Sequence, residues 1–260
     1  MWQPLVAENS VLEQAIIDAT SSLWRDGVSL LAGVVDTSCL AACLKSLENE
    51  RPELFLPGAD PGRFYVSNGR FYTALKASGP FAAREILLAP AIEQVLTQCL
   101  GHDFVFESFG IINALPGAAE QHWHRDGGIL FPGHPLEFML PASAVTIAIP
   151  LVEMNDETGT TGFALGSHRT SGHVEEPDFE PLVPIGSAVI WDYRVFHKGM
   201  ANKGSRARPL IYATCCRPWW SDVGNFDDGQ AEKLAISRNA FEKLDRGLRG
   251  RLLRSRMLED

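Results

Sequence analysis

No run of apolar residues in this chain approaches the roughly 18 that a membrane-spanning helix needs, so no membrane partner is expected. The N-terminus lacks the basic and apolar regions of a secretory leader, and the expected location is cytoplasmic. Positive charge is scarce: 23 Lys and Arg face 32 Asp and Glu, a formal net charge of −9. Such a balance does not suit a phosphate backbone, which argues against nucleic-acid partners. The five cysteines, at positions 39, 43, 99, 215 and 216, lack metal-ligand spacing and are odd in number. They read as reduced, mostly buried thiols, with Cys39 and Cys43 one helical turn apart as core packing. No internal repeat or low-complexity tract is visible.

What remains is the composition of an ordinary globular protein, 260 residues long and 45% hydrophobic. The expected organisation is a single domain over 1–260, with helical support in 1–102, a β-rich core in 103–225 and a helical tail in 226–260. In the first part, apolar residues at helical spacing run from Glu13 to Trp24 and stop at Asp26-Gly27. Val28 to Val35 is a predicted strand, and Asp36 offers an N-cap for a helix to about Leu47. Pro90 and Gly101 bracket a helix from Ala89 to Leu100. Residues 51–70, rich in Pro and Gly, are expected to be a covering loop.

From Asp103 the period changes. Phe104 to Phe106, Ala144 to Ile149, Gly162 to Leu165, Ala188 to Trp191 and Leu210 to Cys215 are short β-rich runs separated by turns. The fold class expected is mainly β with flanking helices, a jelly-roll or cupin-type barrel. The tail from Glu232 to Arg256 carries eight Lys or Arg against three acids. It is read as a solvated basic helix docked on its own domain through Leu234, Leu244, Leu248 and Leu252.

Two segments carry chemistry: Gln121-His122-Trp123-His124-Arg125-Asp126, and Trp191 through His197 to Arg208-Pro209. On a strand, residues i and i+2 share a face, so His124 and Asp126 are placed to chelate one ion from an inner barrel wall. His197, on a later strand, completes a two-histidine, one-carboxylate set. That set holds non-haem Fe(II) on one face and leaves the opposite positions open to O2. A lone His-x-Asp arises readily by chance; the second motif is what gives the first its weight.

These motifs resemble the phytanoyl-CoA dioxygenase family of Fe(II)/2-oxoglutarate oxygenases. The matching residues are Gln121-x-x-His124-Arg125-Asp126, Thr158 to Thr161 leading to Gly166-Ser167-His168-Arg169, Gly186 to Asp192, His197-x-Gly199-x-x-Asn202, and Arg208-Pro209. The resemblance covers about 103–225 and implies a double-stranded β-helix wrapped by N-terminal helices. It assigns His124, Asp126 and His197 to the metal and Arg208 to the far carboxylate of the cosubstrate 2-oxoglutarate. A guanidinium fork matches such a carboxylate with two charge-assisted hydrogen bonds. Arg206, two residues away, competes for that role. Thr161 and Gln121 align with residues near the cosubstrate. Thr158 and Leu165 depart from the family's Asn and Pro, which puts that loop's contacts in question.

The resemblance makes His168 a loop-structuring residue. His122 stays open between a pocket contact and a packed core histidine. Trp219, Trp220 and Phe131 are candidates for an apolar substrate wall, or for core. The implied activity is oxidation, by default hydroxylation, of a C–H bond of a small-molecule substrate. Acyl-CoA is disfavoured by the absence of placed basic residues and by acids at Glu175-Glu176 and Asp178 to Glu180. The alternatives are a catalytically silent jelly-roll protein that binds a metal or carboxylate or serves as a partner subunit, an oxygenase-type enzyme giving desaturation, epoxidation, cyclisation or epimerisation, or a metal-dependent cupin isomerase.

Overall fold

The computed structural model describes residues 4–56, 64–67, 69–172, 174–225 and 233–259. In chain order its elements are α1 (Pro4–Asp26), β1 (Val28–Leu31), α2 (Thr37–Glu50), β2 (Phe64–Ser67), β3 (Arg70–Ala74), β4 (Lys76–Ala77), α3 (Arg84–Leu88) and α4 (Pro90–Leu100). There follow β5 (Val105–Ala114), β6 (Ala144–Pro150), β7 (Thr161–Phe163), β8 (Ala188–Asp192), β9 (His197–Gly199) and β10 (Arg208–Cys216). The chain closes with β11 (Ala235–Ser237), α5 (Arg238–Lys243), α6 (Arg246–Arg251) and β12 (Arg256–Leu258).

A seven-stranded sheet in the order β1-β8-β6-β10-β5-β3-β2 is the larger wall of a jelly roll, and its pairs are antiparallel. The opposing wall is slight: β7 pairs with β9, extended by bridges Phe163↔Phe179 and Met154↔Val183. Alternation along the strands divides their side chains. One face of the large sheet, carrying Ile111, Ile147, Ile149, Ile190, Ile211 and Ala213, packs on the helices through Leu23, Leu40, Leu47, Val95 and Leu96. The other face carries Arg208, Leu210, Tyr212 and Thr214 of β10 and lines a cavity.

Local signals place the helices. The Asp36 carboxylate caps α2 by accepting from the backbone N–H groups of Ser38 and Cys39. Leu40, Cys43 and Leu47 then form its buried stripe. Burial in that stripe pushes the Cys43 thiol up to about 12, an inert packing group. Pro90 opens α4 and Gly101, at φ 97°, ends it.

Two expectations need correction. Residues 51–70 are not simply a loop: Phe64–Ser67 and Arg70–Ala74 form a hairpin that adds two strands to the large sheet. Positions 57–63 and 68 of that stretch lie outside the described residues. Gly110 makes this pairing possible, because a Cβ there would sit 2.5 Å from the Thr73 carbonyl oxygen and from the Tyr72 ring. The tail is also not one helix. It breaks at Leu244–Asp245, where the Asp245 carboxylate caps α6 by accepting from the Leu248 N–H, and β11 pairs in parallel with β4 and β12 around two short helices. Its docking on Leu234, Leu248 and Leu252 stands, and Leu244 packs at the margin; Glu232 lies outside the described residues.

Glu107 anchors the tail. Its buried carboxylate accepts from Ser221 Oγ and the Asp222 N–H at 2.8 Å each, from Lys233 Nζ at 3.0 Å and from Arg254 Nη1. Burial alone would raise its pKa, but the hydrogen bonds from Ser221, Lys233 and Asp222 outweigh burial and lower it. A depressed carboxyl contributes stability above its unfolded-state pKa and loses it as pH falls through the folded value. The Glu107→Gln variant should therefore melt lower at neutral pH and show a shallower loss of stability below about pH 4.5, read as thermal midpoint against pH.

Candidate metal centre

His124 and His197 meet through the main chain. The two residues form an isolated antiparallel bridge, with His124 N to His197 O at 3.1 Å and His197 N to His124 O at 2.9 Å. Their rings follow, with centroids 4.4 Å apart. Asp126 lies beyond this bridge in irregular chain, not on a barrel strand. Its position comes from side-chain bonds rather than pleat geometry. One ligand atom from each of His124, Asp126 and His197 lies within 4.8 Å of the others.

Each imidazole uses the same device to set its tautomer. His124 Nδ1 lies 3.0 Å from the His122 carbonyl and His197 Nδ1 3.1 Å from the Val195 carbonyl, two residues back in both cases. With the proton on Nδ1, the Nε2 lone pair of each ring is left for the centre. His197 Nε2 is 3.4 Å from Asp126 Oδ1. Burial, reinforced by His197, lowers His124 to about 4, so it is neutral at physiological pH. Burial opposes the charged form of His197, yet the Asp126 charge outweighs it and raises the pKa.

The Asp126 carboxylate is held by three side-chain donors. It accepts from Thr146 Oγ1 at 2.7 Å, Trp191 Nε1 at 2.9 Å and Tyr212 Oη at 2.9 Å. Burial acts to raise its pKa, and the neighbouring His197 and His124 with these donors drive it well below the usual carboxylate range. Arg125, between His124 and Asp126, faces the other way. It bonds the Ser167 and Thr170 carbonyls and covers the Phe196 ring at 4.1 Å.

The triad opens into a cavity of about 270 Å³ that also contains Gln121, Thr161, Arg208 and a residue sequence reasoning missed, Arg70. Ala114 is the register partner of Arg70 on one side and of Arg208 on the other. The two guanidiniums therefore leave the same face of three adjacent strands, two strand spacings apart, roughly 10 Å. Both residues are buried, at 2% and 1% exposure. Arg208 donates to the Gly159 and Thr160 carbonyls and Arg70 to the Met200 carbonyl, while the Nε of each has no partner. Among the described residues, neither guanidinium has a carboxylate ion pair. Burial lowers Arg208 to about 9, with the nearby Arg70 adding to it, and lowers Arg70 to about 10. Two buried guanidiniums on one cavity wall suit an anionic ligand, whose charge would offset the cost of burying theirs.

The other sequence candidates fall as follows. Arg206 is exposed and cannot compete with Arg208. Gln121 lines the cavity and accepts from the Gly199 N–H at 2.8 Å. A Cβ at Gly199 would lie 2.5 Å from Gln121 Oε1 and closer still to Arg70, so a side chain there would displace both cavity groups. Thr161 is half-buried at the cavity wall. The His122 ring is exposed, neither core nor cavity; what it contributes is its carbonyl. His168 is buried against α1, its Nε2 3.2 Å from the Trp24 carbonyl. Trp219 and Phe131 are exposed, and Trp220 is half-buried beside Tyr193. The sequence signal for Arg70 is weak because it follows a Pro- and Gly-rich stretch, although the run Arg-Phe-Tyr-Thr-Ala that it opens has strand character.

Residues 25–210 match the family profile of phytanoyl-CoA dioxygenase (PhyH). The chain belongs to the phytanoyl-CoA dioxygenase family. Among curated proteins it is 31% identical over 127 residues to "Dioxygenase hkm4" of Aspergillus hancockii, covering 44% of this chain and 39% of that protein. The chain thus spans about two fifths of that relative's length. Its fold is shared with the epimerase SnoN, solved with Fe3+, alpha ketoglutarate and nogalamycin RO (17% identity, 82% of this chain and 88% of that one, TM-score 0.62). HygX from Streptomyces hygroscopicus, solved with nickel and 2-oxoglutarate, matches similarly (14% identity, 78% and 88%, TM-score 0.61).

The repulsion between Arg70 and Arg208 gives a test that needs no turnover. Arg70→Met should melt at or above the wild-type temperature without ligand, and should lose most of the stabilisation that added 2-oxoglutarate confers on the wild type. Thermal midpoints with and without the diacid decide it.

Proposed function

We propose that this chain is an Fe(II)/2-oxoglutarate-dependent oxygenase that oxidises a C–H bond of a small-molecule substrate. The observation that carries this is a largely enclosed His-Asp-His cluster, with His197 buried, sharing one cavity with two guanidiniums that have no carboxylate partner among the described residues. The donor set suits the ion: two neutral imidazole nitrogens and one carboxylate favour ferrous iron over the thiolate-loving metals. The anion demand suits the diacid, whose far carboxylate would meet Arg208 with Arg70 in support, flanked by Thr161 and Gln121.

In this reading His124, Asp126 and His197 hold the iron. Bound iron supplies O2 activation coupled to conversion of 2-oxoglutarate into succinate and CO2, with one oxygen atom delivered to the substrate. The chain's own residues do the rest. The Nδ1–H bonds of the two histidines aim their Nε2 atoms. Thr146, Trp191 and Tyr212 fix the orientation of the Asp126 carboxylate, which would bind the iron through the acceptor capacity they leave free. The apolar residues Ile112, Ala148 and Leu210 keep water from the cavity floor, where desolvation strengthens each charged contact. Hydroxylation is the reaction read as the default, since the carboxylate ligand leaves no vacancy for a halide. No helix among the described residues is long and apolar enough to cross a membrane.

Under anaerobic conditions, Fe(II) with 2-oxoglutarate should give the protein a weak visible charge-transfer band. His124→Ala and Asp126→Ala should lose both the band and succinate release under air while keeping the wild-type circular dichroism. Arg208→Ala should need at least tenfold more 2-oxoglutarate for half-saturation, consistent with the loss of a charge-assisted bidentate contact. A wild-type protein with no band, or variants with undiminished turnover, would overturn the reading.

A further inference from the structure

His124 and His197 have their main chains fixed by the bridge between them. Asp126 has no such help. It stands in irregular chain, and the donors Thr146, Trp191 and Tyr212 hold only the carboxylate end of its side chain. A ligand pinned at its head but free at its root can still swing, and a metal site tolerates only about 0.5 Å of such play. The root has to be held by something other than a strand ladder.

The holding point is the peptide that joins Asp126 to Gly127. Its carbonyl accepts from Asn225 Nδ2 at 2.7 Å, and its N–H donates to the Tyr193 carbonyl at 3.3 Å. One peptide plane is thus gripped from both sides. It also lies close against the Tyr193 ring: a Cβ at Gly127 would stand 2.5 Å from that ring, so a side chain there would push the two apart.

Both grips lead to Asp222. One oxygen of its buried carboxylate accepts the Tyr193 hydroxyl and Asn225 Nδ2; the other accepts the N–H groups of Gly224 and Asn225. The second pair forms the turn that presents the Asn225 side chain. Each half of the clamp is rooted in the fold. The Tyr193 N–H donates to the Ala144 carbonyl at the start of β6. The Asp222 N–H donates to Glu107, the anchor of the tail, at 2.8 Å, and Lys233 donates to the Asp222 carbonyl. Asn225 itself is exposed, so its loss should cost the fold little.

We propose that Asn225 is a positioning residue for the metal ligand Asp126. Through the Asp126 carbonyl it fixes the root of that side chain, and so sets the affinity of the centre for its ion. What the bridge does for the two histidines, the clamp does for the acid. The proposal rests on the metal reading of the triad. It leaves the diacid end alone, because Arg70 and Arg208 bond to other carbonyls and make no bond to the clamp.

The test is calorimetric titration of the metal-free full chain with Ni(II), alongside melting temperatures with and without 2-oxoglutarate. Asn225→Ala and the near-isosteric Asn225→Leu should each bind Ni(II) about tenfold more weakly or worse, as happens when a group that orients a metal ligand is lost. Both should need correspondingly more Fe(II) for half-maximal succinate release, with the KM for 2-oxoglutarate unchanged. Their metal-free melting temperature and their stabilisation by 2-oxoglutarate should match the wild type. Val223→Ser, on the same loop and 75% exposed, should bind Ni(II) as the wild type does. Wild-type Ni(II) affinity in either Asn225 variant, or an equal loss in Val223→Ser, overturns the proposal. So does a loss that comes with a lower melting temperature or a raised 2-oxoglutarate KM, since the clamp would then be general scaffolding. A wild-type chain that takes up no Ni(II) at all would instead remove the metal reading, and the clamp's role with it.

Discussion

The burial of one carboxylate organises this protein. An ionised acid taken out of water without partners is so costly that it would protonate instead. Asp126 escapes that outcome because three strands each send it a donor: Thr146 from β6, Trp191 from β8 and Tyr212 from β10. Those donors sit on the cavity face because alternation puts them there, and the pairs Thr146↔Trp191 and Thr214↔Thr146 hold the strands in register. A one-residue slip in any of them would turn its donor towards the helices. The register of the large sheet and the ionisation of Asp126 are therefore one constraint seen twice.

The same logic of register explains the anion end of the cavity. Arg70 and Arg208 share Ala114 as partner, so their juxtaposition is a property of the β3-β5-β10 ladder. The protein tolerates two buried cations side by side because backbone carbonyls take part of their hydrogen-bonding capacity. The unpaired Nε atoms mark what the carbonyls leave undone. Cation pair and carboxylate lie within one cavity and do not neutralise each other, since the histidines and the three donors already satisfy Asp126.

Much of this was legible in the chain. The capping of α2 by Asp36 and the Pro90–Gly101 bracket of α4 are local signals, and local signals transfer directly. His124, Asp126, His197 and Arg208 were legible as two motifs that support each other, whereas the irregular chain that carries Asp126 was not, since the i, i+2 reading placed it on a strand. Arg70 was not, because its role depends on a hairpin whose first strand lies in a Pro- and Gly-rich stretch. Tyr212, Trp191 and Thr146 were invisible as partners of Asp126 for a different reason. Each is an ordinary strand residue, and only long-range pairing shows which carboxylate it reaches. The tail differs from the single helix expected because basic residues at near-helical spacing continue across the break at Leu244–Asp245, while parallel pairing with β4 has no signature in the tail itself.

The bridge between His124 and His197 carries one more implication. Because these residues exchange both main-chain bonds, the gap between their imidazoles is inherited from the peptide backbone, which substitution at surrounding side chains cannot stretch. Chemical divergence within this scaffold is thereby channelled away from the spacing of the nitrogens. It must instead act through the loop that bears Asp126 and through the surfaces that decide what lies beside it.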